Sequence, residues 1–142
     1  MPRTKAAVAL NALLCDEVRK EDNGKLIVIG VYTGDILLDE FPASLWLAVY
    51  ANFSLPIGKT KIDVRFNFNG DVQSGLDIVA EGPSDNIIGI HTPRMPVNCA
   101  REGKLAFEIM FDDEGSWLEI INKRVILRET FVREAAPGFL QD

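Results

Sequence analysis

The hydrophobic positions of this chain fall mainly in short runs that alternate with polar residues, the period of a strand with one buried face. The clearest is "KIDVRFNFNG", where Ile62, Val64, Phe66 and Phe68 alternate with Lys61, Asp63, Arg65 and Asn67. "KLAFEIMFDDEG" repeats the pattern, with Leu105, Phe107, Ile109 and Phe111 inward and Glu108 and Asp112 outward. "SLWLAVYANF" sends Leu45, Leu47, Val49 and Phe53 one way and Trp46, Tyr50 and Asn52 the other. Lys25 to Tyr32 differs, because it is apolar on both alternating faces: Leu26, Val28 and Tyr32 on one, Ile27, Ile29 and Val31 on the other. That predicts a strand buried on both sides or central in its sheet.

Turn residues punctuate these runs. Asn23-Gly24 and Asn69-Gly70 are the strongest hairpin signals, since both residue types tolerate positive φ. "LDIVAEGP" and "NIIGIHTP" are shorter strand candidates, each ended by a turn containing Pro. "SWLEIINKRVILRET" predicts a closing hairpin over Asn122-Lys123, and "FVREAAPGFLQD", residues 131–142, predicts a loosely held tail. The cadence is that of a single all-β domain, an antiparallel β-sandwich of about eight strands.

One segment fits two periods. In "KAAVALNALLCDEVRKE", Ala6, Ala9, Leu10, Leu13, Leu14 and Val18 would form a helical stripe, and Val8, Leu10, Ala12 and Leu14 would form one face of a strand. Periodicity alone leaves both readings open.

Composition narrows the class. The 142 residues suffice for one self-contained core, and 47% hydrophobic with 25% charged residues is a globular balance that excludes wholesale disorder. A net charge of −6 disfavours a phosphate-binding surface, so no direct nucleic-acid partner is expected. The start "MPRTKAAVALNALLC" has the outline of a lipoprotein signal, but Leu14 stands where a small residue is needed and Asn11 interrupts the apolar run. No run is long enough to span a bilayer. A cytoplasmic protein without a membrane partner is expected, and the Asn52-Phe53-Ser54 sequon is read as a chance match.

The stretch "ALLCDEVR", followed by "NGKLIVIGVY" and then "FPASLWLAVYANF", resembles a family of small, uncharacterised bacterial and phage proteins. Their sequences open with an ALLCD-x-VR pattern and a G-K turn leading into a strand that ends in IGVY or similar. The resemblance is best over residues 12–53. It implies a compact β-sandwich of about this length with a strand as its first segment, and it transfers no catalytic residue.

Candidate chemistry is sparse. Cys15 lies beside Asp16 and Glu17, anions that would raise a thiol pKa and disable a nucleophile. The single histidine, His91, is the only available base for it, and the other thiol is Cys99; the sequence leaves open whether the two thiols pair. Three ligand residues of this kind do not complete a zinc site. Acidic clusters at Asp112, Asp113 and Glu114, and at Asp35, Asp39 and Glu40, are candidates for Ca²⁺, although solvated turns use the same residues. Trp46, Tyr50 and Trp117 are interface candidates or a sugar platform, against the plainer reading of a strand buried on both faces.

The expectation is a non-enzymatic protein-interaction or assembly module without a cofactor, self-associating or in a phage-related assembly. Two alternatives stand beside it: binding of Ca²⁺ or a small polar ligand at the acidic loops, and an acidic inhibitor of a host defence or nucleic-acid enzyme.

Overall fold

A computed structural model describes residues 7–82 and 87–139 of the chain. It contains eleven strands and one helix in the order β1 (Val8–Cys15), β2 (Glu17–Lys20), β3 (Leu26–Ile29), β4 (Ile36–Leu38), β5 (Ala43–Ser54), β6 (Gly58–Phe68), β7 (Asp71–Gly82), β8 (Ile87–His91), β9 (Met95–Cys99), β10 (Gly103–Phe111), β11 (Leu118–Leu127) and α1 (Arg128–Phe139). The all-β class holds. The count exceeds the expected eight because three short strands, β2, β4 and β9, are too brief to carry a period of their own.

The two best alternating runs pair with each other. In the β6–β10 register, Leu105 faces Phe68, Phe107 faces Phe66, Ile109 faces Val64 and Phe111 faces Ile62, so every inward residue meets an inward residue. Cross-strand neighbours share a face, and a slip of one position would turn the whole set to solvent. The outward phase is matched too: Arg65 faces Glu108 and donates to it at 2.8 Å. With β11, β4 and β7 these strands form a five-stranded sheet in the order β4-β11-β10-β6-β7.

The second sheet is organised by β5. β1 pairs along one edge of it, while β8 and then β9 pair along the other. At the break between β8 and β9, Thr92 donates its N–H to the Val49 carbonyl and its hydroxyl oxygen takes the Val49 N–H, so both backbone groups of Val49 are bonded there. Leu47, Val49, Ala51 and Phe53 of β5 join Ile62, Val64, Phe66, Phe107 and Ile109 in one buried cluster. Phe53 meets Phe111 edge-on at 5.9 Å across the two sheets, and Phe66 meets Phe107 at 5.1 Å within one.

Three expectations are corrected. Lys25 to Tyr32 is neither central nor buried on both faces: among the described residues β3 pairs only with β2, in a two-stranded ribbon, and Ile27, Ile29 and Val31 are exposed. Asn23-Gly24 does turn this ribbon, with Gly24 at φ 88°. Asn122-Lys123 is no hairpin, because β11 runs straight through it to pair with β10. The sequence after Thr130 does not open as an irregular tail; it continues α1, which runs to Phe139, while residues 140–142 lie outside the described part. Arg124 anchors the helix by bonding Asp35 at 2.8 Å and Glu134 at 2.9 Å, and the Glu102 carboxylate accepts the Leu127 N–H at its start.

The ambiguous first segment is a strand, as the resemblance implied. Its register explains the mixed periodicity. Ala9 faces Phe53 and Asn11 faces Asn52, so Leu10 is the extra residue of a β-bulge. The bulge inverts the phase, leaving Val8 and Leu10 exposed while Ala12 and Leu14 turn inward.

These features set expected outcomes. Phe107→Ala removes a ring packed against Phe66 and should cost about 3–5 kcal/mol in chemical denaturation. Asn69 (φ 53°) and Gly70 (φ 92°) both sit in the left-handed region, so Gly70→Ala should cost about 1 kcal/mol by the same measurement. The Leu127 N–H and the Thr130 hydroxyl hold the Glu102 carboxyl below its usual range. Its stabilisation of α1 is therefore present above the unfolded carboxylate pKa of about 4.3 and is lost as pH falls through the lower folded value. Far-UV circular dichroism should show helix fraying in acid, and Glu102→Gln should show it already at neutral pH.

Candidate interaction surface

β1 is an edge strand. It pairs with β5 and with no other strand among the described residues, and it carries no charged side chain from Val8 to Cys15. β8 and β9, on the other side of β5, are likewise without acidic or basic side chains, whereas β7, an edge of the other sheet, exposes Asp71, Asp77 and Glu81, charges that guard an edge against stray pairing. Along β1 that protection is absent.

Three hydrogen bonds show how this edge ends. Leu14 gives its carbonyl to the Tyr32 N–H at 2.8 Å, and the Asp16 N–H reaches the Ile29 and Gly30 carbonyls. The chain after β3 thus lies beside the end of β1. Gly30 is needed at the crossing, since φ is +70° and a Cβ there would stand 2.2 Å from Asp16 Oδ2. Because Leu14 points its backbone away from β5, the two-residue period points the N–H and C=O of Ala12 the same way.

Beyond this edge lies a cleft. One part, about 420 Å³, is walled by Ala12–Leu14, Val31–Thr33 and Ile120–Lys123; a second, about 200 Å³, by Ala9–Ala12 and Ile120. The far wall belongs to β11, whose residues before Val125 have, among the described residues, no strand on the β4 side. Ile120 is itself the extra residue of a bulge, since Ile121 faces Phe107 and Glu119 faces Glu108. Two bulges, at Leu10 and Ile120, therefore line one opening. Of its lining, Leu10, Leu13 and Val31 are 39–48% exposed, and Val8 on the same strand and Ile27 and Ile29 of β3 are exposed as well.

The sequence-predicted residues are dispersed. Cys15 is buried against Ala48, with its thiol directed at the Ala48 carbonyl at 3.5 Å. Burial pushes its pKa up, Asp16 adds to the rise, and burial holds Cys99 up to about 11. Both thiols are free, so they do not pair with each other. His91 stands opposite Tyr50, two positions along β5 from the Ala48 that faces Cys15. Its Nδ1 is buried without a partner. The Tyr32 hydroxyl donates to Asp16 at 2.8 Å, and burial with that bond pushes its pKa up to about 12.

The acidic loops are already engaged. Asp113 pairs with Lys61 at 3.0 Å, Asp112 accepts the Lys61 N–H, Asp35 is held by Arg124 and Asp39 by Arg128. Asp112 and Asp113 both adopt positive φ, a turn-tip geometry. Among the described residues no three His, Cys, Asp or Glu side chains are grouped to hold a metal. The aromatic residues do not converge either. Trp46, 52% exposed, and half-buried Tyr50 lie on the outer face of the β5 sheet, so that strand is not buried on both faces. Tyr50 donates to Asn52, which donates to Asn11. Trp117, just before β11, lies under the Arg65 guanidinium at 3.9 Å on the outer face of the other sheet.

Sequence reasoning missed the cleft and the strip around it. The run Ala6–Cys15 carries no charge, but neither does the longer run Phe41–Gly58 around the central strand β5, so lack of charge did not mark out an edge.

No helix among the described residues is long and apolar enough to cross a membrane. A comparison with curated proteins finds no match. The sequence pattern of the Family of unknown function (DUF6941) matches residues 10–119, from the bulge of β1 to the start of β11. The chain belongs to that family.

Proposed function

We propose that this chain is a non-enzymatic β-sandwich module that works by docking to protein through the apolar strip and cleft along β1. The observation that carries the reading is the combination of an uncharged edge strand with exposed aliphatic side chains, Leu10, Leu13 and Val31, lining an open cleft. Exposed apolar surface of this extent marks association sites, and an uncharged edge adds unpaired backbone groups that accept a further strand. The setting suggested by the resemblance to bacterial and phage proteins is an assembly.

Ligand binding at the acidic loops is the second reading. It is favoured less because Asp35, Asp39 and Asp113 are paired with arginine or lysine, so a cation would have to displace them. The reading as an acidic inhibitor rests on the net charge of −6 alone.

The docking reading is tested by placing a photo-crosslinking residue at Leu10, with Val79 on the opposite sheet as control. Covalent protein adducts are expected from Leu10 and not from Val79; the same yield at both positions would sink the proposal. For the acidic loops, a thermal shift with millimolar Ca²⁺ should leave the melting temperature unchanged, whereas a rise of several degrees would favour the second reading. Thiol chemistry has its own check. Cys15 and Cys99 should react with a disulfide reagent at least about 10-fold more slowly in the native protein than in denaturant. Fast, stoichiometric labelling of native Cys15 would contradict the absence of nucleophile chemistry.

A further inference from the structure

We infer that the outer face of the β5 sheet binds a neutral glycan, seated on Asn11, Asn52 and Tyr50 where β1, β5 and β8 lie side by side. The inference goes beyond the docking of protein at the β1 cleft and does not depend on it.

Register brings these side chains together. Asn11 faces Asn52 and Asn52 faces Gly89, while Leu13, Tyr50 and His91 form the next row. Side chains alternate along a strand, so Tyr50 and Asn52 stand on the face opposite to Val49, Ala51 and Phe53 of the core. Hydrogen bonds join them. The Tyr50 hydroxyl donates to Asn52 Oδ1 at 2.9 Å, and Asn52 Nδ2 donates to Asn11 Oδ1 at 2.8 Å. Gly89 makes room for this arrangement: a Cβ there would stand 2.7 Å from the Tyr50 hydroxyl oxygen and 3.2 Å from two ring carbons. The ring therefore leans across β8 and brings its hydroxyl beside Asn52, the residue that faces Gly89.

Charge narrows the ligand. β1, β5, β8 and β9 contain no Asp, Glu, Lys or Arg, so one whole sheet is neutral in a chain whose residues are 25% charged. The outer face of the other sheet carries Lys61, Asp63, Arg65 and Glu108 instead. An ion brought to the neutral face would leave water without a counter-charge, a cost that an uncharged ligand does not meet.

The hydrogen-bonded chain also has a direction. It leaves the two N–H donors of Asn11 unused at one end and the lone pairs of the Tyr50 oxygen unused at the other. Sugar hydroxyls both donate and accept, so they can engage both ends, while an apolar C–H face rests on the Tyr50 ring. A dry protein contact suits this centre poorly, because it would bury the exposed Asn11 amide with its donors unmet. Neighbouring strands lie about 4.8 Å apart, so Asn11 to Gly89 spans roughly 10 Å, about two sugar rings. The site ends at the next row, where Cys15 and Ala48 are fully buried; Trp46 stands beyond them and is not part of it.

The full chain is screened on an array of neutral oligosaccharides of glucose, galactose, mannose and N-acetylglucosamine, with hyaluronan oligosaccharides as the charged control. The best binder is then titrated by NMR. Saturable binding at about millimolar affinity or tighter is expected, with the side-chain amide signals of Asn11 and Asn52 shifting. Asn11→Ala and Tyr50→Phe should each weaken it about 5-fold or more, and Trp46→Ala should leave it unchanged. Circular dichroism checks the fold of each variant; Tyr50→Phe keeps the ring over Gly89 and carries the test if Asn11→Ala misfolds. An array without a binder overturns the inference. So does binding that survives both Asn11→Ala and Tyr50→Phe, binding that moves neither asparagine signal, or equal binding of hyaluronan.

Discussion

Two alternating apolar faces, one along β5 and one shared by β6 and β10, can leave water together only by closing on each other. The Phe53–Phe111 contact across the sheets and the Phe66–Phe107 contact within one show where they meet. Once those faces are joined, register is fixed, because each strand has only one phase that puts Leu, Ile, Val and Phe inward. The outward phase then inherits its partners. Arg65 falls opposite Glu108 and beneath its cation sits Trp117, a consequence of core register.

The same constraint explains why the surface of interest lies at β1. β5 is long enough to serve three partners, with β8 and β9 sharing one edge and β1 taking the other. The closing sheet does not reach β1 with a paired strand, since β4 meets β11 only at its last three residues. What remains between β1 and β11 is a cleft bordered by two bulges, at Leu10 and Ile120. The ribbon β2–β3 follows β1 in the chain and carries Ile27 and Ile29 into solvent. Edge and cleft are thus one surface produced by the ending of two sheets.

Groups that looked chemical are absorbed by structure. Asp16, Cys15's acidic neighbour, takes the Tyr32 hydroxyl and packs where Gly30 leaves room; the thiol itself is buried against Ala48. Asp35 with Glu134, and Asp113, hold Arg124 and Lys61 and so tie loops and helix to the sheet. Exposed ion pairs of this kind contribute little stability each, but they determine where α1 and the hairpin tip sit.

The sequence by itself determined the strand class, the inward phase of β6 and of β10 and the turns at Asn23-Gly24 and Asn69-Gly70. Each of these is local: a two-residue period and a tolerance for positive φ are written in adjacent residues. Tertiary structure decided what depends on distant neighbours. Lys25 to Tyr32 is apolar enough to be central, yet no strand covers it, and Val8–Cys15 changes phase at a bulge that the register with β5 defines. Asn122-Lys123 has turn chemistry, but pairing with β10 draws it straight. Which apolar residues stay in water is settled by where the sheets end, and no run of ten residues records that.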